Sequence, residues 1–382
     1  MTSGGTTVVQ VFGAMDRGGA EMRTLELIRR MDPGQVRSIF VTLSGRAGSL
    51  AGEFEAAGAE VAPLALSWRF PFAFIRLLRN QQVDAVHSHV ATFSGAILLL
   101  ARIARVRRRI AHFRSDGPSS RPSVAKRMQY GIMRALIRWN ATDILGVSPG
   151  ALTHGWCSDW AKDSRCRVLP SGIDLASFAG VTSNGALRSH LGAGTTDKVV
   201  IHIGRGVPLK NRERALRIFA ELSRQRPTPW LAFIGADTPD DRARWRHLAA
   251  DLGISERVDF FGERDDVPQL LADADLLLLT SHYEGLPGVI LEAAAVGTPS
   301  LASDLPGVRF VASHLPDVIP LSLDASDGEW ANSASSLLDR RLTPAVREAA
   351  CLRMRDGIFD LSRAVPEFLA LWTDAKSIEA HR

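Results

Sequence analysis

The sequence predicts an α/β protein of two parallel-sheet, Rossmann-like domains, and three observations predict it. Short apolar runs alternate with helically periodic segments along the first half of the chain. The alternation lapses between about Ser177 and Asp197, where "SFAGVTSNGALRSHLGAGTTD" is rich in Gly, Ser and Thr, and then it starts again. At 382 residues with 46% apolar content, the chain also exceeds the size at which one core keeps growing. The expected division is an N-terminal domain over 1–178, a link over 179–196, a C-terminal domain over 197–362, and a terminal helix over 363–382 packing back on the N-terminal domain.

In chain order, the N-terminal strands are read from "TVVQVFG", "SIFVTL", "EVAPLAL", "VDAVHSH" and "RIAHFRS", separated by helical segments such as "GGAEMRTLELIRRM", "GSLAGEFEAAG" and "FAFIRLLRN". The second series runs "KVVIHIG", "PWLAFIG", "RVDFFG", "ADLLLLT", "TPSLAS" and "DVIPL", and "VPEFLALWTDAKS" reads as one amphipathic helix. The unbroken Leu run of "ADLLLLT" marks a strand covered on both faces. Open α/β sheets bind ligands beyond the carboxyl ends of their strands. Two in tandem are expected to face an interdomain cleft, with functional residues at strand ends: Arg17 to Glu21, His87 and His89, Arg205 to Lys210, and Glu284.

Composition narrows the class. The N-terminus lacks a cationic start followed by an apolar run, and "GAILLLARIARV" is too short and too basic to span a bilayer, so a cytoplasmic protein is expected. Cys157, Cys166 and Cys351 follow neither metal-ligand nor disulfide spacing. A net charge of +5 is modest but uneven. The basic helix near 121–139, "SVAKRMQYGIMRALIRW", sets Lys126, Arg127, Arg134 and Arg138 among Met128, Ile132, Met133, Leu136 and Ile137. That helix either rests peripherally on the anionic inner face of a membrane or presents a solvated basic face over a core-facing stripe. No nucleic-acid motif or stacking aromatic run accompanies these charges, so no nucleic-acid partner is expected.

Glu284 and Glu292 lie either side of a Leu-Pro-Gly turn in "SHYEGLPGVILEAAAVGTPS". If a helix begins at Pro287, the amides around Leu286, Pro287 and Gly288 form a positive terminus suited to an anion or a sugar hydroxyl, with Gly288 offering no side chain to hold a ligand off. Glu292 then lies one turn behind on the same face. The plainer reading makes Glu284 a solvated loop residue and Glu292 a helix former facing water, against which stands the apolar setting "GVILEAAAVG".

The spacing Glu, seven residues, Glu in "EGLPGVILE" resembles the hallmark of the retaining family 4 glycosyltransferases, whose exopolysaccharide-type members share the GT-B fold. The resemblance implies that Glu284 meets the donor sugar and Glu292 the ribose hydroxyls. "IGRGVPLKNRERALRIFAEL" is similar to the family's Gly-Arg segment followed five residues on by Lys, which implies a diphosphate clamp of Arg205 and Lys210. Two fixed cations can stabilise a leaving diphosphate without a metal. "RVDFFGERDDVPQLLADADLLLLTS" resembles the segment beside the base pocket, implying base contacts from Arg264 and the backbone near Phe261. "VFGAMDRGGAEMRTLELIRRMD" resembles the family's Gly-Gly-Ala-Glu entry, where Gly18 and Gly19 let backbone approach phosphate or sugar; it lacks the dinucleotide spacing. "VLPSGIDLASF" is similar to the segment leading to the hinge, with Ser171 where Asn is commoner.

Many members place a His at the end of the fifth strand against the donor sugar. In "RRRIAHFRSDG", period two sets His112, Arg114 and Asp116 on one face, so either His112 or Arg114 takes that place, with His112 preferred. His87 and His89 line the acceptor side or cap the sheet. No Asp-x-Asp metal motif precedes a sugar site, and neither metal nor other cofactor is expected beyond the donor substrate, a UDP-sugar in the first instance. The resemblance implies a retaining hexosyltransferase, of GlcNAc or glucose, acting on a polysaccharide or lipid-linked glycan. The alternatives are transfer to a soluble natural product such as an antibiotic, a sugar-nucleotide epimerase or glycan phosphorylase, and a non-catalytic GT-B binding protein.

Overall fold

The computed structural model describes residues 5–115, 123–226, 229–340 and 342–373. They form two compact units, one of residues 1–173 with 361–382 and one of 174–360. The first holds seven parallel strands: β1 (Thr6–Phe12), β2 (Val36–Thr42), β3 (Glu60–Pro63), β4 (Ala85–Ser88), β5 (Arg108–Phe113), β6 (Asp143–Gly146) and β7 (Cys166–Val168). Their order is β3-β2-β1-β4-β5-β6-β7, so the winding reverses between β1 and β4. The second holds β8 (Lys198–Ile203), β9 (Pro229–Ile234), β10 (Val258–Gly262), β11 (Leu276–Leu279), β12 (Ser300–Ser303) and β13 (Val318–Leu321) in the order β10-β9-β8-β11-β12-β13, reversing between β8 and β11.

Burial on both faces explains the strand composition. Leu276, Leu277, Leu278 and Leu279 are each at most 1% exposed, and burying each such side chain stabilises the fold by about 1.5–3 kcal/mol. In the first unit Val8, Phe40 and Phe54 share a core with Leu361, Phe368, Leu371 and Trp372 of the helix Leu361–Trp372. Phe219, Phe233, Trp245 and Trp330 anchor the core of the second.

The stretch 179–196, read as a link, is not one. It contains the helix Ala186–Leu191, fixed to the second unit by Asp273. That carboxylate accepts from Ser183 Oγ (2.5 Å) and from the amides of Gly185 and Leu187 (3.0 Å each). The basic helix runs Val124–Asn140; residues 121 and 122, assigned to it in the sequence, lie outside the described residues, as do Asp116 and 374–382.

Candidate functional site

The winding reversal of the second sheet brings two loops together at the carboxyl ends of β8 and β11. The chain leaves β8 at Gly204, whose φ is +152°; a Cβ there would come within 2.9 Å of the Lys210 side chain, which lies across this backbone. After the turn Pro208–Lys210, the helix Arg212–Gln225 begins. From the other strand end, Thr280 Oγ1 donates to the Lys210 and Asn211 carbonyls (3.2 and 2.9 Å), and the His282 amide donates to the Leu209 carbonyl (2.9 Å). His202 Nε2 lies 3.2 Å from the Lys210 carbonyl, and burial lowers this imidazole to about 3.

These contacts carry Lys210 Nζ to 2.5 Å from Glu284 Oε1, with side chains 18% and 13% exposed. The loop bearing Glu284 rests against Gly307, where a Cβ would meet the Gly285 carbonyl at 2.3 Å. The helix after it is Gly288–Ala295, one residue later than the sequence suggested. Pro287 is its N-cap with extended backbone and, having no N–H, leaves the amides of Gly288 and Val289 to form the positive terminus. Leu286 and Gly288 are half-buried there. Glu292 is half-buried between the buried Leu291 and Ala293, so neither carboxylate is the solvated surface group of the plainer reading.

The other expected donor residues lie in this unit, Arg205 on the same loop as Lys210. Arg205 is exposed and, among the described residues, has no ion-pair partner. Arg264 is held in a two-pronged ion pair by Asp266 at 2.8 and 2.6 Å. Phe261 packs on His190 with ring centroids 4.4 Å apart.

Sequence reading missed Arg212. Its side chain is fully buried, donating to the Gly204, Gly235 and Ile234 carbonyls (2.7, 3.2 and 3.3 Å) and to Asp237 (3.1 Å), with the guanidinium 4.8 Å from the Trp245 ring. It thereby fixes the backbone from which Arg205 and Lys210 project. The signal was present: Arg212 shares a helical face with Ala215, Leu216 and Phe219, all fully buried, and a cation at a core position needs partners.

In the first unit, Gly18 is the N-cap of the helix Gly19–Arg29. A Cβ on it would strike Glu21 Oε2 at 2.5 Å, whereas Gly19 has open space. The Glu21 carboxylate thus already lies over the helix start that the sequence reading offered to phosphate or sugar.

His87, His89 and His112 gather at the ends of β4 and β5, their nitrogens within 4.8 Å of one another. Trp372 Nε1 donates to His87 Nδ1 (3.2 Å), so His87 Nε2 carries the proton that it gives His112 Nδ1 (3.1 Å). The proton of His112 therefore sits on Nε2, which is buried without a partner. Burial first, and the Arg114 cation second, push His87 to about 3 and hold His112 well below the ordinary imidazole range; burial does the same to His89, with His87 and Arg114 adding to it. Neutral imidazoles suit a metal, but both nitrogens of His87 are engaged and a guanidinium adjoins the group.

Arg114 lies beyond the strand end, where burial lowers it to about 10. It donates to Thr24 Oγ1 (3.0 Å) and Ser171 Oγ (2.8 Å) and lies 3.3 Å from His89 Nδ1. Arg114, His89, His87 and Gln10 line a small pocket; His112 does not. His112 is 1% exposed, stacks on His87 and meets Phe368 at a tilt, which sets it inside the core and leaves Arg114 at the strand mouth.

Residues 17–177 match the model described as Glycosyltransferase Family 4, and residues 184–317 that described as Glycosyl transferases group 1. Over 368 residues the chain is 26% identical to the capsular polysaccharide biosynthesis glycosyltransferase CapH of Staphylococcus aureus, spanning 96% of this chain and 98% of CapH. It is 29% identical over 348 residues to EpsF of Bacillus subtilis (87% and 88%). Among solved structures, Anabaena HepE in complex with UDP superposes with a TM-score of 0.80 at 18% identity, over 98% of this chain and 100% of that one. Sucrose-phosphate synthase of Thermosynechococcus elongatus gives 0.74 at 18% identity, over 99% and 100%. The two units have the GT-B fold.

Proposed function

Because the chain belongs to the exopolysaccharide-type family 4 glycosyltransferases, we propose that it moves a hexosyl unit, with retention, from a UDP-sugar to an acceptor hydroxyl in the assembly of a polysaccharide or lipid-linked glycan. The observation that carries the donor site is the Lys210–Glu284 pair at the winding reversal of the second sheet, beside the free amides that start the helix Gly288–Ala295. HepE, of the same fold, was solved with UDP and with UDP-glucose, and CapH is named for capsular polysaccharide biosynthesis; both support this choice of donor and acceptor.

The chemistry proceeds from the residues. A diphosphate entering this site takes Lys210 from Glu284 and recruits the exposed Arg205. Glu284, released, accepts from the sugar hydroxyls, and Glu292, set back on the helix, accepts from the ribose. The bond from the anomeric carbon to the diphosphate oxygen breaks as the acceptor oxygen bonds that carbon on the same face, and the acceptor proton passes to the departing phosphate oxygen. Lys210, Arg205 and the helix terminus stabilise the negative charge that grows on the diphosphate, the helix amides being in place before it arrives.

Thermal shift with UDP, GDP, ADP and TDP tests the base, since a ligand bound only by the folded state raises its apparent stability. UDP is expected to raise the melting temperature most, and Lys210→Ala to remove the rise. A rise with UDP that Lys210→Ala leaves intact would place the donor elsewhere.

A further inference from the structure

The helix Val124–Asn140 has two apolar faces, and the core uses one. Ile137 is buried and Met133 and Leu136 are half-buried on the side that packs against the helix Ser94–Ile103. Arg102 of that neighbour donates to the Trp139 carbonyl (2.9 Å), fixing the seam. At about 100° per residue, Val124, Met128, Ile132, Ala135 and Trp139 fall in a separate sector of about 80°. The four large side chains in it are 81%, 69%, 53% and 76% exposed, and Ala135 is exposed with them. Scattered exposed apolar side chains are ordinary; a continuous row along four turns of one helix is not.

The charges around the row select its partner. Arg127 and Arg138, both exposed, follow one edge, and Lys126 is exposed farther round. The helix contains no Asp or Glu at all. A second copy seated on this face by a two-fold axis would bring the arginines of both helices to one seam with no carboxylate on either to meet them. A lipid surface with anionic headgroups accepts the arginines and, beneath them, the Val, Met, Ile and Trp side chains. The same side of the sheet carries a second such patch. The helix Phe70–Asn80 packs on Ser94–Ile103 in the same row, and at its start Trp68 and Phe72 are 76% and 72% exposed beside Arg69, whose guanidinium lies 4.8 Å from the Trp68 ring.

We infer that Val124, Met128, Ile132 and Trp139, with Arg127 and Arg138, form a docking face for an anionic bilayer. The face lies along the helix axis and submerges side chains without spanning; no helix among the described residues is long and apolar enough to cross a membrane.

Co-sedimentation of the full chain with vesicles of phosphatidylglycerol and phosphatidylcholine, against phosphatidylcholine alone, tests this without any donor or acceptor. It therefore stands or falls separately from the glycosyl-transfer reading. Binding is expected on the anionic vesicles and is expected to fall at about 1 M salt, where screening shortens to about 3 Å. The double variant Met128→Glu, Ile132→Glu is expected to lose at least tenfold in partition while melting as the parent does, since both side chains are exposed. Arg127→Ser and Arg138→Ser should each cost about fivefold. Equal sedimentation of the parent and the double variant would overturn the inference. So would a parent that ignores vesicles but is dimeric by ultracentrifugation and becomes monomeric in the double variant, an outcome that assigns the face to a second copy.

Discussion

Glu284→Gln separates the two tasks assigned to the ion pair of the second unit. Lys210 Nζ sits 2.5 Å from Glu284 Oε1, so a diphosphate that takes Lys210 must first displace the carboxylate. A hydrogen bond between charged groups contributes about 1.5–3 kcal/mol. With the two side chains 18% and 13% exposed, solvent reaches the pair and the lower part of that range applies. The amide keeps an acceptor for Lys210 but removes the charge, so most of that competition disappears. UDP is expected to bind Glu284→Gln about three- to tenfold more tightly, a tenfold change being about 1.4 kcal/mol. Turnover, by contrast, is expected to fall on the order of a hundredfold, because the proposed mechanism sets Glu284 against the reacting sugar. Calorimetry with UDP gives the first quantity and UDP release under saturating donor the second. If Glu284→Gln weakened UDP binding as much as Lys210→Ala does, the carboxylate would belong to the nucleotide and the competition argument would fail.

The two clamp cations should behave differently from one another. Arg205→Ala is expected to lower turnover about a hundredfold while leaving the unliganded melting temperature unchanged, since its side chain is exposed and unpaired among the described residues; Lys210→Ala should lower both. Melting curves beside steady-state kinetics distinguish them, and identical behaviour would undo the distinction. Transfer is expected to persist in excess EDTA, because the proposed mechanism gives the work of a divalent ion to two cations and a helix terminus; loss of activity restored by magnesium or manganese would contradict it. Stability should fall below pH 6.5. His87 drops from 6.5 in the unfolded chain to about 3 when folded, so the unfolded state binds the extra proton, and stability complete above 6.5 declines as pH falls toward 3. At pH 5 this one group costs about 2 kcal/mol, and His89 and His112 act in the same direction. A melting temperature at pH 5 equal to that at pH 7.5 would refute it.

How much of this was legible in the sequence depends on whether the cause was local. The strands from "TVVQVFG" to "DVIPL" were readable because parallel sheets covered on both faces need unbroken apolar runs. β6 and β7 escaped, being only four and three residues long and each carrying a charged residue, Asp143 and Arg167, that breaks the apolar run. The supposed link failed for a non-local reason. Gly185 and Gly192, both left-handed at φ +72° and +70°, are the start and stop of a six-residue helix, and their composition resembles a linker until Asp273, 86 to 90 residues away, supplies its bonds. His112 and Arg114 show the same limit. Period two places them on one face only while the strand lasts, and β5 ends at Phe113. Coverage on both faces then buries His112 whichever way it points.

The donor site divides along the same line. The family spacing marked Glu284 and Lys210 separately, and only the winding reversal of the second sheet joins them across 74 residues. Arg212 was the residue within reach of pattern alone. A guanidinium at the buried face of an amphipathic helix has no stable existence without acceptors, so its presence in "LKNRERALRIF" announces carbonyls converging from nearby strand ends. Those carbonyls belong to Gly204, Ile234 and Gly235, the ends of β8 and β9. The buried cation therefore ties the clamp loop to the sheet. Removing Asp237, its carboxylate partner at 3.1 Å with a side chain 0% exposed, is expected to cost about 3–5 kcal/mol by leaving the guanidinium uncompensated. Denaturant titration of Asp237→Ala measures that cost, and a loss under about 1 kcal/mol would mean the carbonyls alone hold the charge and that the loop does not depend on the pair.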